Sequence, residues 1–132
     1  MQITTILKDA VLKQATDIHM VNSLPVMLRV AGELIPANDV ILNSKSIRTI
    51  CYSFLSDEEI ISFEKNLDLD IIKTFGKNRF RINLSFSKGA IGAVIRILNY
   101  APIPLKDLKL PVIVTKMCYR DKGLILLTGS TS

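Results

Sequence analysis

The tightest constraint on this chain's fold lies between Arg79 and Leu98. From Arg79 to Ser87 the alternation is complete. Phe80, Ile82, Leu84 and Phe86 fall on one side of an extended chain, and Arg79, Arg81, Asn83, Ser85 and Ser87 on the other. A period of two with one apolar face marks an antiparallel strand that packs a core on one side and meets water on the other. Lys88-Gly89 then turns the chain into a second run, Ala90–Leu98. Upstream, Leu67, Leu69 and Ile71 alternate with Asp68 and Asp70, and Gly76-Lys77-Asn78 supplies a further turn. Near the N-terminus, Ile18 and Met20 alternate with Asp17 and His19, then Val26, Leu28 and Val30 with Met27 and Arg29. Asn22-Ser23-Leu24-Pro25 separates those two candidate strands, and Ala31-Gly32-Glu33 turns the chain again.

Three segments carry a helical period instead. Ile3, Ile6, Leu7, Ala10 and Val11 share one face, as do Ile47, Ile50, Cys51, Phe54 and Leu55. A third helix starts at Ser56-Asp57-Glu58-Glu59, where Ser56 and Glu59 satisfy each other's backbone donors, and fades near Asn66. The expected fold class is therefore α+β, an antiparallel sheet flanked by helices. From Asn99 the texture changes. Pro102, Pro104 and Pro111 exclude a central strand or a helix interior, so 99–123 reads as a linker with a short helix from Pro111 to about Tyr119.

At 132 residues with 48% apolar and 22% charged content, there is room for one globular domain. No stretch is apolar enough for a membrane-spanning helix, and Met1-Gln2-Ile3-Thr4-Thr5 has neither the basic nor the apolar part of a secretory signal. Cys51 and Cys118 lack metal-ligand spacing and read as buried thiols of a reducing compartment. The net charge of +5 favours an anionic partner without choosing among nucleotide, nucleic acid and acidic protein.

If Lys88 and Gly89 form a two-residue turn, or sit at the centre of a four-residue loop, Arg81 faces Arg96. Opposed side chains on one face lie ~4.5–5.5 Å apart at Cβ, a distance at which like charges repel. An anion between or above them resolves the conflict. Asp68 and Asp70 are the internal candidates and a phosphate the external one, since guanidinium groups bind phosphate with matching forked geometry. A solvated basic face is the plainer alternative, and a three-residue loop or a bulge would remove the opposition.

Leu124 to Thr128 forms an apolar run of strand length that leads into Gly129-Ser130-Thr131-Ser132. A buried strand followed by G-x-x-x-x-G-K-[ST] is the phosphate-binding loop of P-loop NTPases. Gly129, Ser130, Thr131 and Ser132 read as the first half of that loop, making the sequence a fragment cut at the start of a nucleotide-binding core.

Together these features resemble the type II/IV secretion ATPase superfamily, and within it the type IV pilus retraction (twitching-motility) ATPases. Ala15-Thr16-Asp17-Ile18-His19-Met20 is similar to the family's Ala-Ser-Asp-Leu-His-Leu. Leu24 to Leu34 resembles its Pro-x-x-x-Arg-x-x-Gly-x-Leu segment, and Phe80-Arg81-Ile82-Asn83 its Phe-Arg-Val-Asn. Gly92-Ala93-Val94-Ile95-Arg96 is similar to Gly-Ala-Val-Phe-Arg, and Lys122 to Gly129 to Arg-Gly-Leu-Val-Leu-Val-Thr-Gly. Ser130 and Ser132 depart from the family's Pro and Gly, and Lys88 stands where an arginine is usual.

The resemblance implies a PAS-like N-terminal domain over 1–98, the linker over 99–123, and the first strand and truncated loop of a RecA-like core over 124–132. It implies a homohexameric ATPase using ATP and Mg²⁺ and powering pilus retraction. The expected location is the cytoplasmic face of the inner membrane, with a pilus platform protein as partner and no nucleic acid. Carried over by position, Arg81 and Arg96 would reach the terminal phosphate as catalytic residues, while Gly129–Ser132 would contact the nucleotide. The chain alone is expected to be inactive. That the first helix begins at Met1 favours retraction over assembly or secretion ATPases, which usually carry a further N-terminal domain. Asp17 reads as a turn anchor or an inter-domain ion-pair partner, His19 as a packed or hydrogen-bonded histidine, and Tyr100 as a hinge or base-stacking candidate. Two other readings stay open. One is a non-enzymatic PAS-like interaction module. The other is a nucleic-acid-binding sheet, which the lack of exposed aromatics disfavours.

Overall fold

The computed structural model describes residues 2–98, 104–126 and 128–129. Helix α1 (Ile3–Leu12) leads into strands β1 (Asp17–Met20), β2 (Met27–Val30) and β3 (Glu33–Pro36). Helices α2 (Ser44–Tyr52) and α3 (Asp57–Asn66) follow, then β4 (Asp68–Phe75), β5 (Asn78–Ser87) and β6 (Ala90–Leu98). The six strands form one antiparallel sheet in the order β3-β2-β1-β6-β5-β4. This is the α+β arrangement expected from the sequence.

All three helices bury their apolar stripes against one face of the sheet. Ile6, Leu7 and Ala10 from α1, Ile47, Ile50 and Cys51 from α2, and Phe63 from α3 share a cluster with Ile18, Leu28, Phe80, Ile82, Leu84 and Ile95. Alternation then forces the opposite set, including Asp17, Arg81, Asn83 and Arg96, onto the other face. Burial raises the Cys51 thiol to about 12, leaving it an inert core side chain.

The local chemistry explains where elements start and stop. At the start of α3 the Ser56 hydroxyl accepts from the Glu59 N–H while Glu59 accepts from the Ser56 N–H, the reciprocal cap expected there. Glu59 also accepts from Lys73 Nζ at 2.7 Å, which ties that cap to β4. A second reciprocal cap, Asn43 with Ser46, opens α2. In the β5–β6 hairpin, Lys88 and Gly89 have φ of +51° and +77°. Positive φ at both central residues is what a type I′ two-residue turn requires, and it matches the strand twist.

The structure departs from the sequence expectations at four places. Helix α2 stops at Tyr52, so Phe54 and Leu55 pack on the core from the following turn rather than from the helix. Leu67 is a left-handed helix cap with φ +59°, and β4 starts one residue later, at Asp68. Strand β3 was not expected, because every one of its residues is exposed and no period marks it. Finally, Leu124, Ile125 and Leu126, expected in a strand, lie in no regular element and are exposed. A strand needs a ladder partner, and the described residues from 104 onward contain no strand at all.

The chain divides into two compact units, Met1–Tyr100 and Ala101–Ser132. Among its described residues the second unit holds a 3-10 turn (Leu105–Leu108) and α4 (Val112–Met117), for which Pro111 forms the N-cap. None of the residues in these two elements is buried. Tyr100 lies outside the described residues. No helix is long and apolar enough to cross a membrane among the described residues.

Candidate functional site

The open face of the sheet carries a row of charge across its middle. Strand register places Arg29 beside Asp17, Asp17 beside Arg96, and Arg96 beside Arg81. The opposition of Arg81 and Arg96 argued from the hairpin is thus the pairing observed. Three guanidinium groups meet two carboxylates here, Asp17 and Asp70, leaving one net positive charge.

Each arginine of the central pair has its own carboxylate. Arg96 donates from Nε to Asp17 Oδ1 at 2.9 Å. Arg81 donates from Nε to both Asp70 oxygens at 3.1 Å and from Nη2 to Oδ2 at 2.6 Å. The other terminal nitrogens, Nη1 of Arg81 and both of Arg96, have no hydrogen-bond partner among the described residues. A pocket of about 240 Å³ opens over them, lined by Asp17, Asp70, Arg81, Asn83, Val94 and Arg96. Asp70 therefore takes one edge of the Arg81 fork and Asp17 only the Nε of Arg96, and the remaining nitrogens of both cations are left unbonded beside one pocket, an arrangement suited to an anion.

The two ion pairs differ in kind. The Asp17 side chain is 8% exposed, and Thr16 Oγ1 donates to its Oδ2 at 2.9 Å. Burial pushes the Asp17 carboxyl up, but the hydrogen bonds from Arg96 and Thr16 outweigh this and hold it below the ordinary carboxylate value. Asp70 sits on the edge strand with its side chain 39% exposed, and the Arg81 hydrogen bonds lower its pKa. Asp68, the other internal candidate, accepts from Asn83 Nδ2 at 3.3 Å instead.

A pH dependence follows for Asp17. Its folded pKa lies below the ordinary 3.8, so its contribution is present above 3.8 and is lost as pH falls through the folded value. The stability gap between the native chain and Asp17→Asn is expected to narrow on that acid limb, as read by denaturant titrations across pH. A gap that stays constant from neutral pH into strong acid would contradict this.

The remaining sequence candidates divide. Asp17 was read as a turn anchor or inter-domain partner, and it pairs within the sheet with Arg96 and Arg29, the latter at 3.7 Å. His19 packs on the open face between Met27 and Val94, with Nε2 buried and without a hydrogen-bond partner among the described residues. Burial and then the Arg29 charge push its pKa down, so it is neutral near pH 7. Gly129 lies in irregular, exposed chain, and Ser130, Thr131 and Ser132 fall outside the described residues. Cys118, expected to be buried, is exposed. Among the described residues no three acidic, histidine or cysteine side chains cluster closely enough to hold a metal ion. Arg29 is the residue that sequence reasoning missed. Its place beside Asp17 depends on the β1–β2 register, which the loop after Met20 left undetermined.

The chain is homologous over nearly its whole length to a pilus motor protein. It is 29% identical over 132 residues to the type IV pilus retraction ATPase PilT of Pseudomonas aeruginosa, a match covering 99% of this chain and 38% of that protein. The crystal structure of the pilus retraction motor PilT with bound ADP superposes with a TM-score of 0.78 at 29% identity, over 91% of this chain and 36% of that one. The ATPase DotB of Legionella pneumophila shares the fold, with a TM-score of 0.77 at 19% identity over 93% of this chain and 37% of DotB. The chain thus spans well under half the length of the relatives it matches. No protein-family model matches it.

Proposed function

We propose that this chain is the arginine-bearing part of an ATPase that drives type IV pilus retraction. In this reading Arg81 and Arg96 contact the terminal phosphate of an ATP held mainly by a core outside these 132 residues. The single observation that carries it is the pair of opposed guanidinium groups, their free nitrogens over one pocket, in a chain homologous to a retraction ATPase. The full protein then acts as a homohexamer at the inner face of the membrane, where the pilus platform protein is its partner.

The chain's own residues bind and orient. Asp17 holds Arg96 by its Nε, which leaves its terminal nitrogens without a hydrogen-bond partner among the described residues. The side chains needed to cradle a triphosphate and Mg²⁺ are not among these residues, since no G-x-x-x-x-G-K-[ST] occurs in the sequence. Hydrolysis by this chain alone is therefore not expected. Leu110, Val112, Ile113, Leu124 and Leu126 of the second unit are all exposed, which suits a segment that packs on a further domain.

The test is nucleotide-dependent stability. Joined to its core, the protein should gain roughly 2.7 kcal/mol at ATP one hundred times above Kd, read as a rise in Tm. The 132-residue chain should show no such rise. A full-length protein whose Tm ignores ATP would refute the reading.

A further inference from the structure

We infer that Asp70 sets which phosphates the arginine pair accepts, admitting a doubly charged terminal phosphate and turning away singly charged phosphodiesters. The inference rests on the arginine reading above and adds a specificity-determining residue to it.

The geometry carries the argument. Asp70 already occupies the Nε–Nη2 edge of Arg81 through three contacts of 2.6 to 3.1 Å. That edge is one of the two forks a guanidinium can offer to a phosphate. An incoming anion that wants it must displace a carboxylate tethered on the adjacent strand, two residues out of register with Arg81, which acts at an effective concentration of roughly millimolar or more. A phosphodiester brings one negative charge, the same as the carboxylate, so it gains nothing by displacing Asp70 and is left with Nη1 of Arg81 and the terminal nitrogens of Arg96. A terminal phosphate monoester brings close to two at neutral pH and above. It can bridge Arg81 to the free nitrogens of Arg96, a guanidinium Asp70 does not touch.

Asp70 is also placed to give way. It stands on the edge strand, its side chain is 39% exposed, and its described side-chain hydrogen bonds are all to Arg81. Asp17, buried and bound to Thr16 as well as Arg96, keeps its arginine in place while Asp70 yields. The net charge of one in the row leaves the site cationic enough to attract an anion but too weakly so to hold any anion indiscriminately.

The experiment uses the 132-residue chain with ¹⁵N-labelled arginine side chains, titrated with methyl phosphate and with dimethyl phosphate at pH ~8, where the monoester is dianionic. In the native chain the Arg81 and Arg96 signals should respond to methyl phosphate at least about tenfold more tightly than to dimethyl phosphate. Asp70→Asn should tighten the diester preferentially and shrink that ratio to about threefold or less. Asp68→Asn makes the same charge change two residues away on the same strand face, and should leave the ratio alone. A ratio unchanged in Asp70→Asn, or changed equally in Asp68→Asn, overturns the role of Asp70 while leaving the arginines in theirs. Arginine signals that respond to neither phosphate in any variant overturn the selectivity, whereas the arginine reading itself falls only with the nucleotide tests on the full-length protein.

Discussion

Under the proposed function, Arg96→Ala in the full-length protein should lower kcat for ATP on the order of 10²-fold and leave KM for ATP nearly unchanged. Negative charge on the transferred phosphoryl oxygens is redistributed in the transition state, and a guanidinium aimed there stabilises that state more than bound ATP. Single arginines in P-loop NTPases supply ~10³–10⁵ in rate. A smaller figure is expected here because Arg81 and Arg96 face each other and divide the same task. For that reason Arg81→Ala should fall in the same range, and the double variant should lose far less than the product of the two. Arg96→Lys should not rescue. Arg96 spends its Nε on Asp17 and has its terminal nitrogens left over, whereas lysine has a single nitrogen for both roles. Steady-state ATPase kinetics decide the matter, and single alanine variants within roughly twofold of the native rate would remove both arginines from the mechanism.

How far that site was legible in the sequence depended on the distance over which contacts had to be inferred. The Arg81–Arg96 opposition was readable because one tight turn fixes the hairpin register, and Lys88-Gly89 allows very few turns. The Arg81–Asp70 pair was readable in outline for the same reason, through the Gly76-Lys77 turn between β4 and β5. Asp17 was not. It meets Arg96 across 79 residues of chain, where β1 inserts beside β6, and nothing local records that insertion. The capping residues Ser56 and Glu59 announced α3 because their bonds close within one turn. Strand β3 stayed hidden because an exposed edge strand ending in Pro36 needs no buried period. The three N-terminal helices showed their periods, but only the shared core reveals that they cover one face and leave the charged face open. That asymmetry makes a polar site on the sheet available at all.

The same asymmetry makes the core side of β5 the place where the site is most easily destroyed from a distance. Phe80→Ala is expected to cost ~3–5 kcal/mol, against a total stability of ~5–15 kcal/mol for a domain of this size. Phe80 is 1% exposed and precedes Arg81 directly, so its ring anchors the strand whose next residue faces the pocket. It stands opposite Ile97 on β6 and meets Phe75 edge-to-face at 5.8 Å, which in turn meets Phe54 at 6.1 Å. Removing the ring leaves those partners facing a void, beside an apolar groove of about 590 Å³ that Phe80 lines with Leu7 and Val11 of α1. For a unit of about one hundred residues the loss corresponds to a Tm drop on the order of 20 °C. Phe86 is the control. It shares the apolar side of the alternation but sits beside the hairpin turn, 37% exposed, so Phe86→Ala should cost roughly 1 kcal/mol or less. Urea denaturation of the two variants separates the cases: equal midpoints would mean that the strand is not anchored at Phe80, and that Arg81 owes its position to the hairpin alone.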